Sequence, residues 1–478
     1  MTEMSHTVDL EAIPEIRELI EFVANRLAVA PQKAATTQPE FERGLRKATL
    51  RVERAVHSLD FERMDVDVPG IVVDGKRYAR RKEKTIGHYT TLAGPMEVKR
   101  TTYRARGGHG GETIAALDLR LGLLDGHWTL VAAEVGSSFV ASLPSAEAAT
   151  LLESAGTMTP SASHLDRLTK HVGAAWDARR EEFEAAVREA ERLELPSADN
   201  VHLLVVSLDG IMVPMKDAPR TPGAGRQDCG PKGHKEAGCG TIAVYSETGE
   251  RLWTIRWGQM PEAHKLTLQK QLAAELAHLQ RGYPAAKVVA LADGAKDNWR
   301  ILREIAEELG IEVRERLDFF HAAENLTEGL RAGGLDAEER STWRKRLQGQ
   351  EGAVEPIIEE LGLLAAKTRG KKKRKTLESA FGYFINNADR VDYAEATAAN
   401  EPIGSGVQEA ACKTLVADRM KRSGMTWRHR GGQAVLTLRS LGQSNRLHHA
   451  WAAMRPTMVT RFDVDTDPGR KRPARYPA

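Results

Sequence analysis

The chain lacks the features that mark secreted and membrane proteins. Its 478 residues include only three cysteines, and Cys229, Cys239 and Cys412 give no disulfide framework, which fits a reducing compartment. No apolar run reaches the roughly 18 residues that a bilayer-spanning helix needs. The N-terminus, with Glu3 and Asp9, lacks the pattern of a signal peptide. We therefore expect a soluble, cytoplasmic protein that does not contact a membrane.

Two kinds of cofactor chemistry have little support. The glycine-rich segments lack the Walker pattern with its Gly-Lys-Ser/Thr ending, which argues against ATP-driven chemistry. Cys229, His234 and Cys239 offer three soft zinc ligands, but structural zinc sites usually have four, with closely paired cysteines. Zinc in this segment is therefore a secondary alternative.

Basic residues are concentrated in two parts of the chain. The net charge of +3 says little by itself, because nucleic-acid binding depends on where the cations cluster. From Glu401 onward, Lys and Arg outnumber Asp and Glu by more than two to one. A second cluster contains no acid and consists of Lys367, Arg369, Lys371, Lys372, Lys373, Arg374 and Lys375. A phosphate backbone would balance this charge, and a solvated, disordered loop is the alternative.

The chain is long enough for several domains, and residues 1–106 are predicted to form a helical and β-hairpin module. Apolar residues at helical spacing predict helices over 11–29 and 39–58. Asp74-Gly75 favours a two-residue hairpin turn, and a second extended pair is interrupted at 93–95. Arginines and lysines interleave there with tyrosines, which suits DNA contact, although exposed strands often have the same mixture.

Residues 112–198 are predicted to be mostly helical, after a glycine-rich hinge at 107–111. Helices over 145–153 and 161–172, separated by a polar break, resemble a helix-turn-helix in length and turn chemistry. Two packed helices of a structural domain would have the same pattern. A charged helix over 174–195 is expected to end at Pro196.

From residue 199 onward the pattern alternates between strands and helices, which predicts a mixed α/β sheet flanked by helices. The expected strands are 201–208, 241–246, 251–257, 287–292 and 311–317, and the expected helices between them are 262–281 and 298–309. We divide this region into a first catalytic part at 199–332, a helical insertion at 333–395 and a second part at 396–450. A basic tail follows at 451–478.

Three carboxylates are candidates for one site. Asp209 and Asp293 each follow an apolar strand-like run and precede a glycine, which would let the backbone turn beside a ligand. Glu409 falls near the start of a predicted helix, after Ser405 and Gln408, whose spacing fits a capping box. Only a sheet that joins distant strand ends could bring these acids together. Surface turns at the two Asp-Gly pairs are the alternative, and spacing alone does not favour Glu409 over Glu401.

Such a cluster would bind hard divalent cations. Carboxylate oxygens are the ligands that Mg²⁺ prefers, and a pair of ions can activate a hydroxyl and stabilise the leaving oxygen of a phosphodiester. Lys413 lies one helical turn beyond Glu409 and would either pair with it or reach a phosphate.

Five segments resemble bacterial insertion-sequence transposases of the ISKra type, a group related to the Mutator-like DDE transposases. They are SLDGIMVP (207–214), KEAGCGTIAVYS (235–246), LADGAKDNW (291–299), DFFHAAENL (318–326) and EPIGSGVQEAACKTLVADRMKRSGMTW (401–427). The resemblance covers roughly residues 65–445. It implies a ribonuclease H-like catalytic fold with Asp209, Asp293 and Glu409 as the catalytic, metal-binding triad. Asp318 and His321 match the Asp-x-x-His signature of Mutator-like enzymes, which makes them supporting residues together with Lys413.

The activity that the resemblance implies is cleavage at element ends and joining of the 3′-hydroxyls to target DNA, with Mg²⁺ or Mn²⁺ and no covalent protein intermediate. Its expected partners are terminal inverted repeats, target DNA and further copies of the chain, in the nucleoid of a bacterial cell. The residues expected to contact DNA are Lys371, Lys372, Lys373, Arg374, Lys375, Arg419, Lys421, Arg422, Arg428 and Arg430. A catalytically inactive DNA-binding repressor and a structure-specific nuclease of similar fold are the alternatives.

Overall fold

The computed structural model describes residues 9–29, 36–106, 111–216 and 233–465. The chain folds into two compact units, one of residues 1–180 with 451–478 and one of residues 181–450. The expected modules 1–106 and 112–198 are therefore not separate units, and residues 181–198 belong with the strand-rich region. Residues 107–110 of the expected glycine hinge at 107–111, and the end of the basic tail from 466, lie outside the described residues.

The first unit combines six helices with two small sheets. Its helices are α1 (Pro14–Leu27), α2 (Gln38–Met64), α3 (Ala116–Leu121), α4 (Leu130–Ser142), α5 (Ser145–Ser154) and α6 (Ala162–Ala178). Its strands are β1 (Gly70–Val73), β2 (Lys76–Arg80), β3 (Thr85–Thr91), β4 (Gly94–Arg100), β5 (Thr102–Ala105), β6 (Thr113–Ala115) and, from the C-terminal segment, β12 (Asp463–Val464).

Local sequence explains several of these elements. The predicted hairpin forms between β1 and β2, because Asp74 and Gly75 adopt the positive φ values of +48° and +74° that such a turn requires. Thr37 and Glu40 form a capping box at the start of α2. The C-terminal segment returns to this unit because Val464 of β12 pairs with Ile71 of β1.

The mostly helical character predicted for residues 112–198 is confirmed, and the helices predicted over 145–153 and 161–172 correspond to α5 and α6. The break between α5 and α6 lies where the sequence indicated it. The single helix expected over 174–195 is wrong, because α6 ends at Ala178 and α7 (Arg180–Glu191) begins after Arg179. The backbone dihedral angles of Arg179 (φ −136°, ψ 32°) are not helical, so α6 cannot continue through this residue.

The second unit is a mixed α/β structure. Its strands are β7 (Leu203–Met215), β8 (Gly233–Tyr245), β9 (Arg251–Gln259), β10 (Lys287–Ala292) and β11 (Arg314–Leu317). Its helices before the insertion are α8 (Leu266–Gly282), α9 (Lys296–Leu309) and α10 (Phe319–Gly333). The insertion contains α11 (Ala337–Gly349), α12 (Val354–Lys367), α13 (Lys371–Asn386) and α14 (Tyr393–Ala398). The closing elements are α15 (Gly406–Ala411), the π-helical segment Cys412–Ala417, α16 (Asp418–Met420) and α17 (His429–Gln443). The last helix, α18 (Leu447–Met458), begins in this unit, and its residues from 451 onward are assigned to the first unit.

The strands of this unit form one sheet in the order β11-β10-β7-β8-β9. β7, β10 and β11 are parallel, whereas β8 runs antiparallel to both of its neighbours. Both faces of the apolar strands are covered, which explains why β10 is a continuous run of buried residues after Lys287. The segment predicted as a helical insertion is helical, and Leu377 and Phe384 of α13 are buried in the same core as the sheet.

The structure corrects the expected role of the first Asp-Gly pair. Asp209 does not end its strand, because β7 continues to Met215 and pairs with β8 along its whole length. Gly210 is therefore not a turn. A Cβ at this position would lie 1.8 Å from Glu236 Oε1, so glycine is needed to let the Glu236 side chain approach β7.

The structure also describes the basic cluster and the apolar character of the helices. The basic cluster at Lys371–Lys375 forms the first turns of α13 rather than a disordered loop. Within the part of the chain that the structure describes, no helix combines the length and apolar character needed to cross a membrane.

Candidate active site

Three aspartates stand at the same edge of the sheet. The parallel register pairs Val206 of β7 with Ala290 of β10, and continuing it sets Asp209 beside Asp293. The register between β10 and β11 likewise sets Asp293 beside Asp318, whose backbone N–H donates to the Ala292 carbonyl at 2.8 Å. Because adjacent strands lie about 4.8 Å apart, the three side chains belong to one row.

Asp209 is half-buried and lies at the centre of a polar cluster. Its Oδ1 accepts a hydrogen bond from Gly210 N–H at 2.7 Å, and the Cys412 thiol donates to its Oδ2 at 3.6 Å. Burial raises the pKa of Asp209, and the negative charge of Asp293 raises it further. A divalent cation would relieve both effects.

Asp293 begins the sharp turn that follows β10. The turn uses the positive φ of Gly294 (+99°), which confirms the prediction for this Asp-Gly pair. Asp293 Oδ1 accepts hydrogen bonds from Ala295 N–H at 3.1 Å and from Asn298 Nδ2 at 3.4 Å. The Tyr383 hydroxyl, from α13, donates to the Asp293 carbonyl at 3.4 Å. The insertion therefore contacts the acidic edge directly.

Asp318 is fully buried and joins three segments. It caps α10, where its Oδ1 accepts from the backbone N–H of His321 at 2.7 Å and from His321 Nδ1 at 2.9 Å. Its Oδ2 accepts a hydrogen bond from Ser405 N–H. Burial alone would raise the pKa of Asp318, but the hydrogen bonds from His321 and Ser405 hold it below the ordinary value. The hydrogen bond to Asp318 raises the pKa of His321 to about 9.

Glu409 reaches the same region from α15. It is exposed, and its Oε1 accepts a hydrogen bond from Ser405 Oγ at 3.4 Å. An open cavity of about 490 Å³ is lined by Asp209, Ile211, Phe320, His321, Glu324, Glu409, Cys412, Lys413 and Ala417. The structure thus brings Asp209, Glu409, His321 and Lys413 to one cavity.

Glu401 has a different role. It is buried, and its Oε2 accepts a hydrogen bond from Arg316, which also pairs with Asp392. Arg316 is completely buried, so these carboxylates compensate a charge inside the fold. Glu401 is therefore committed to a structural ion pair, whereas Glu409 faces the cavity.

The expected capping box at Ser405 does not form. Ser405 makes no side-chain capping hydrogen bond, and the Gln408 side chain turns toward the sheet instead. Gln408 accepts a hydrogen bond from Thr241 Oγ1 at 2.9 Å and donates to the Cys239 carbonyl at 2.8 Å. These bonds fix α15 against β8, next to Asp209. The π-helical segment that follows Glu409 is a distortion often found at functional sites.

One close group of possible metal ligands in this region differs from the expected triad. Asp318, His321 and Glu409 form a group whose ligand atoms all lie within 4.8 Å of one another. Asp209 and Asp293 are not in that group. Asp318 already accepts three hydrogen bonds, two from His321 and one from Ser405, so it is better suited to orient His321 than to bind an ion. Asp209, Asp293 and Glu409 retain oxygens that fit Mg²⁺ or Mn²⁺.

Sequence reasoning missed two residues that support the acids. Lys265 Nζ lies 2.7 Å from Glu236 Oε1 and donates to Asn298 Oδ1 at 3.0 Å, and Asn298 in turn holds Asp293. His264 and Lys265 both have positive φ, at +55° and +53°, which is unfavourable for residues other than glycine. Such strain often marks functional segments, but no sequence pattern predicts it here.

The residues expected to contact DNA differ in exposure. Lys371, Lys372, Lys373, Arg374, Lys375, Lys421, Arg428 and Arg430 are exposed, and Arg422 is half-buried. Arg419 does not match the expectation of a DNA-contacting surface residue. Only 3% of it is exposed, and its guanidinium packs over Trp427, 4.9 Å from the ring centre. It supports the fold in this region and does not present its charge at the surface.

The described residues do not support a zinc site at Cys229, His234 and Cys239. His234 is exposed and Cys239 is fully buried, and the odd spacing along β8 directs them to opposite faces. Cys229 lies outside the described residues.

Comparisons of the chain with protein-family models, with curated proteins and with solved structures find no match.

Proposed function

We propose that the chain is a DNA transposase of the DDE class, with Asp209, Asp293 and Glu409 as its catalytic acids. The single observation that carries the proposal is the convergence at one open cavity. Asp209 and Glu409 line it, and the charge of Asp293 acts on Asp209. The three acids come from a strand, a turn and a helix that are remote in sequence.

The sheet supports the class of fold that this activity requires. Three parallel strands, with an antiparallel pair at one side and helices against the sheet, are compatible with a ribonuclease H-like core. Ligands in open α/β sheets bind at the carboxyl ends of the strands, and Asp293 and Asp318 directly follow β10 and β11, beside Asp209 of the longer β7.

Each residue of the cavity would have a distinct role in phosphodiester cleavage. Asp209, Asp293 and Glu409 would hold Mg²⁺ or Mn²⁺, which supplies activation of the attacking hydroxyl and charge neutralisation at the phosphate. His321, protonated near neutral pH, places a positive charge at the same cavity. Lys413 lines the same cavity, so its ammonium group would meet a phosphate bound there.

DNA would approach along α13. This helix carries five exposed cations in its first turns and the Tyr383 hydroxyl next to Asp293. Lys375 and Tyr383 are eight residues apart, which is about 12 Å along a helix. Cations at a helix N-terminus oppose the helix dipole and reduce stability, so their presence there favours an anionic partner.

The test uses the full-length chain and DNA from both sides of its coding region, with Mg²⁺ or Mn²⁺. We expect cleavage at flanking inverted repeats and joining of the new 3′-ends to a second DNA. Asp209→Asn, Asp293→Asn and Glu409→Gln should each bind the DNA but abolish both reactions. Asp297→Asn is the matched control, because Asp297 is highly exposed on the first turn of α9 and outside the cavity.

Three outcomes would separate the alternatives. Cleavage without strand transfer would favour a structure-specific nuclease. Binding without cleavage by the unmodified chain would favour a repressor. Full cleavage by the Glu409→Gln variant would remove Glu409 from the centre and overturn the proposal as stated.

A further inference from the structure

A glutamate and two adjacent histidines converge at a second place in residues 181–450. The ligand atoms of Glu194, His448 and His449 all lie within 4.8 Å of one another. Glu194 follows α7, and the histidines begin α18, so the group joins segments that are 255 residues apart in the sequence. None of the three residues belongs to the acidic cavity described above.

The geometry of the group suits a tetrahedral ion. His449 Nε2 lies 2.9 Å from Glu194 Oε1, and His448 Nε2 lies 3.6 Å from the same oxygen. Two ligands of a tetrahedral zinc ion, with bonds of about 2.0–2.1 Å, are about 3.3 Å apart. The two observed distances lie on either side of that value. Small side-chain movements would therefore convert the hydrogen-bonded arrangement into a coordinating one.

The charges also favour a cation. The imidazole rings of His448 and His449 lie side by side, with centroids 3.8 Å apart. A neutral imidazole is the form that binds metal ions. Glu194 contributes a negative charge, and His448 and Glu194 are exposed enough for an ion to enter from solvent and keep a water ligand.

A buried ion-pair network holds the two segments in place. Arg446, two residues before the histidines, pairs with Glu191, three residues before Glu194, and with Glu275 of α8. Its side chain is 6% exposed, and those of Glu191 and Glu275 are each 1% exposed. The scaffold that carries the three ligands is therefore fixed before an ion binds, which lowers the ordering cost of binding.

We propose that Glu194, His448 and His449 form a binding site for a borderline divalent transition-metal ion, with Zn²⁺ as the expected occupant. Two imidazole nitrogens favour zinc, nickel or copper over Mg²⁺, which requires oxygen ligands. The bound ion cross-links the segment after α7 to the start of α18. This inference does not depend on the proposed transposase activity.

The test is a calorimetric titration of the full-length, metal-free chain with Zn²⁺, followed by Co²⁺ absorption spectra to report coordination by nitrogen. We expect His448→Ala, His449→Ala and Glu194→Gln each to weaken Zn²⁺ binding at this site at least about tenfold. His57→Ala is the matched control, because His57 is also a helical surface histidine beside a glutamate, Glu53. It should leave the affinity unchanged.

The group at Asp318, His321 and Glu409 can add a second equivalent of zinc, so the titrations are repeated in a His321→Ala background. Zinc-edge anomalous diffraction from the unmodified chain locates the ion without any substitution. A peak within bonding distance of Glu194, His448 and His449 is expected. A zinc-saturated crystal with no peak there, or unchanged binding in both His449→Ala and Glu194→Gln, would overturn the proposal.

Discussion

Asp318 holds His321 by two hydrogen bonds to one oxygen, from the backbone N–H at 2.7 Å and from the ring Nδ1 at 2.9 Å. The arrangement leaves Nε2 as the ring nitrogen available at the cavity. It also fixes the start of α10 against the carboxyl end of β11. Asp318 therefore acts through His321 and Ser405, as a positioning residue for the acidic centre.

The pKa of His321 tests this relationship. In the metal-free chain, the His321 imidazole should titrate at about pH 9, above its ordinary value of 6.5, because Asp318 stabilises the charged ring. A raised histidine pKa contributes stability that is full below about pH 6.5 and is lost as the pH rises through about 9. NMR of histidine-labelled protein, with His321→Gln for assignment, measures the value.

The control for that measurement is Asp297→Asn, which should not change the titration, whereas Asp318→Asn should return the pKa toward 6.5. A His321 pKa near 6.5 in the unmodified, metal-free chain would show that Asp318 does not hold the ring.

Asp209→Asn should stabilise the metal-free protein while abolishing cleavage. Burial and the charge of Asp293 raise the pKa of Asp209, so its charged form destabilises the fold. That penalty is absent at low pH, where the group is protonated, and is present once the pH exceeds the folded-state pKa. Thermal unfolding at neutral pH should therefore give a higher midpoint for Asp209→Asn than for the unmodified chain. Equal or lower midpoints would contradict the account of the acidic cluster.

Lys265→Met should weaken divalent-metal binding by about 10–100-fold, the usual effect of removing a residue that orients metal ligands. Lys265 lowers the pKa of Asp209 and holds Asn298, which holds Asp293. Calorimetry with Mn²⁺ measures the affinity. Lys270→Met, at an exposed lysine on helix α8, which begins directly after Lys265, is the control and should have no effect. Equal affinities for both variants would assign Lys265 a purely structural role.

The basic start of α13 should determine the salt dependence of DNA binding. Each phosphate contact contributes about −0.9 to the slope of log K against log salt. Lys371→Gln/Lys372→Gln should therefore make the slope less negative by about 1.8. Lys270→Gln/Lys345→Gln changes the net charge equally at other exposed positions and should change the slope much less. Indistinguishable slopes would exclude α13 from the DNA path.

Arg446→Met should destabilise the second unit by about 3–5 kcal/mol, because it removes the guanidinium that pairs with the buried carboxylates of Glu191 and Glu275 and leaves Glu275 only Arg188, at 3.8 Å. Burial alone would lower the pKa of Arg446, but Glu275 and Glu191 raise it above the ordinary value. Denaturant unfolding measures the loss. Adding Glu191→Gln and Glu275→Gln to Arg446→Met should recover much of it, and no recovery would show that packing dominates.

Much of the fold was predictable because it depends on local patterns. The strand at 287–292, the hairpin at Asp74-Gly75 and the helix that ends at Gly310 all follow from residue periodicity and turn chemistry. The length of β7 was not predictable, since the polar pair Asp209-Gly210 resembles a strand end. Its continuation depends on pairing with β8, which is a tertiary interaction.

The candidate site was predictable only in part, because it also depends on tertiary interactions. The parallel register that aligns Asp209, Asp293 and Asp318 is set by the sheet. The burial of Arg419 beside Trp427 and the contact of Lys265 with Asn298 depend on packing between distant segments. Glu401 and Glu409 lie in similar local sequence, and their roles differ because Glu401 pairs with the buried Arg316 whereas Glu409 lines the cavity.

The most direct test of the central claim is manganese-edge anomalous diffraction from crystals of the full-length chain grown with Mn²⁺. The account predicts density for at least one ion bonded to carboxylate oxygens of Asp209 and Glu409, with Asp293 at the same centre. Mn²⁺ bound elsewhere, with Asp209 and Glu409 free of metal at saturating concentration, would contradict it.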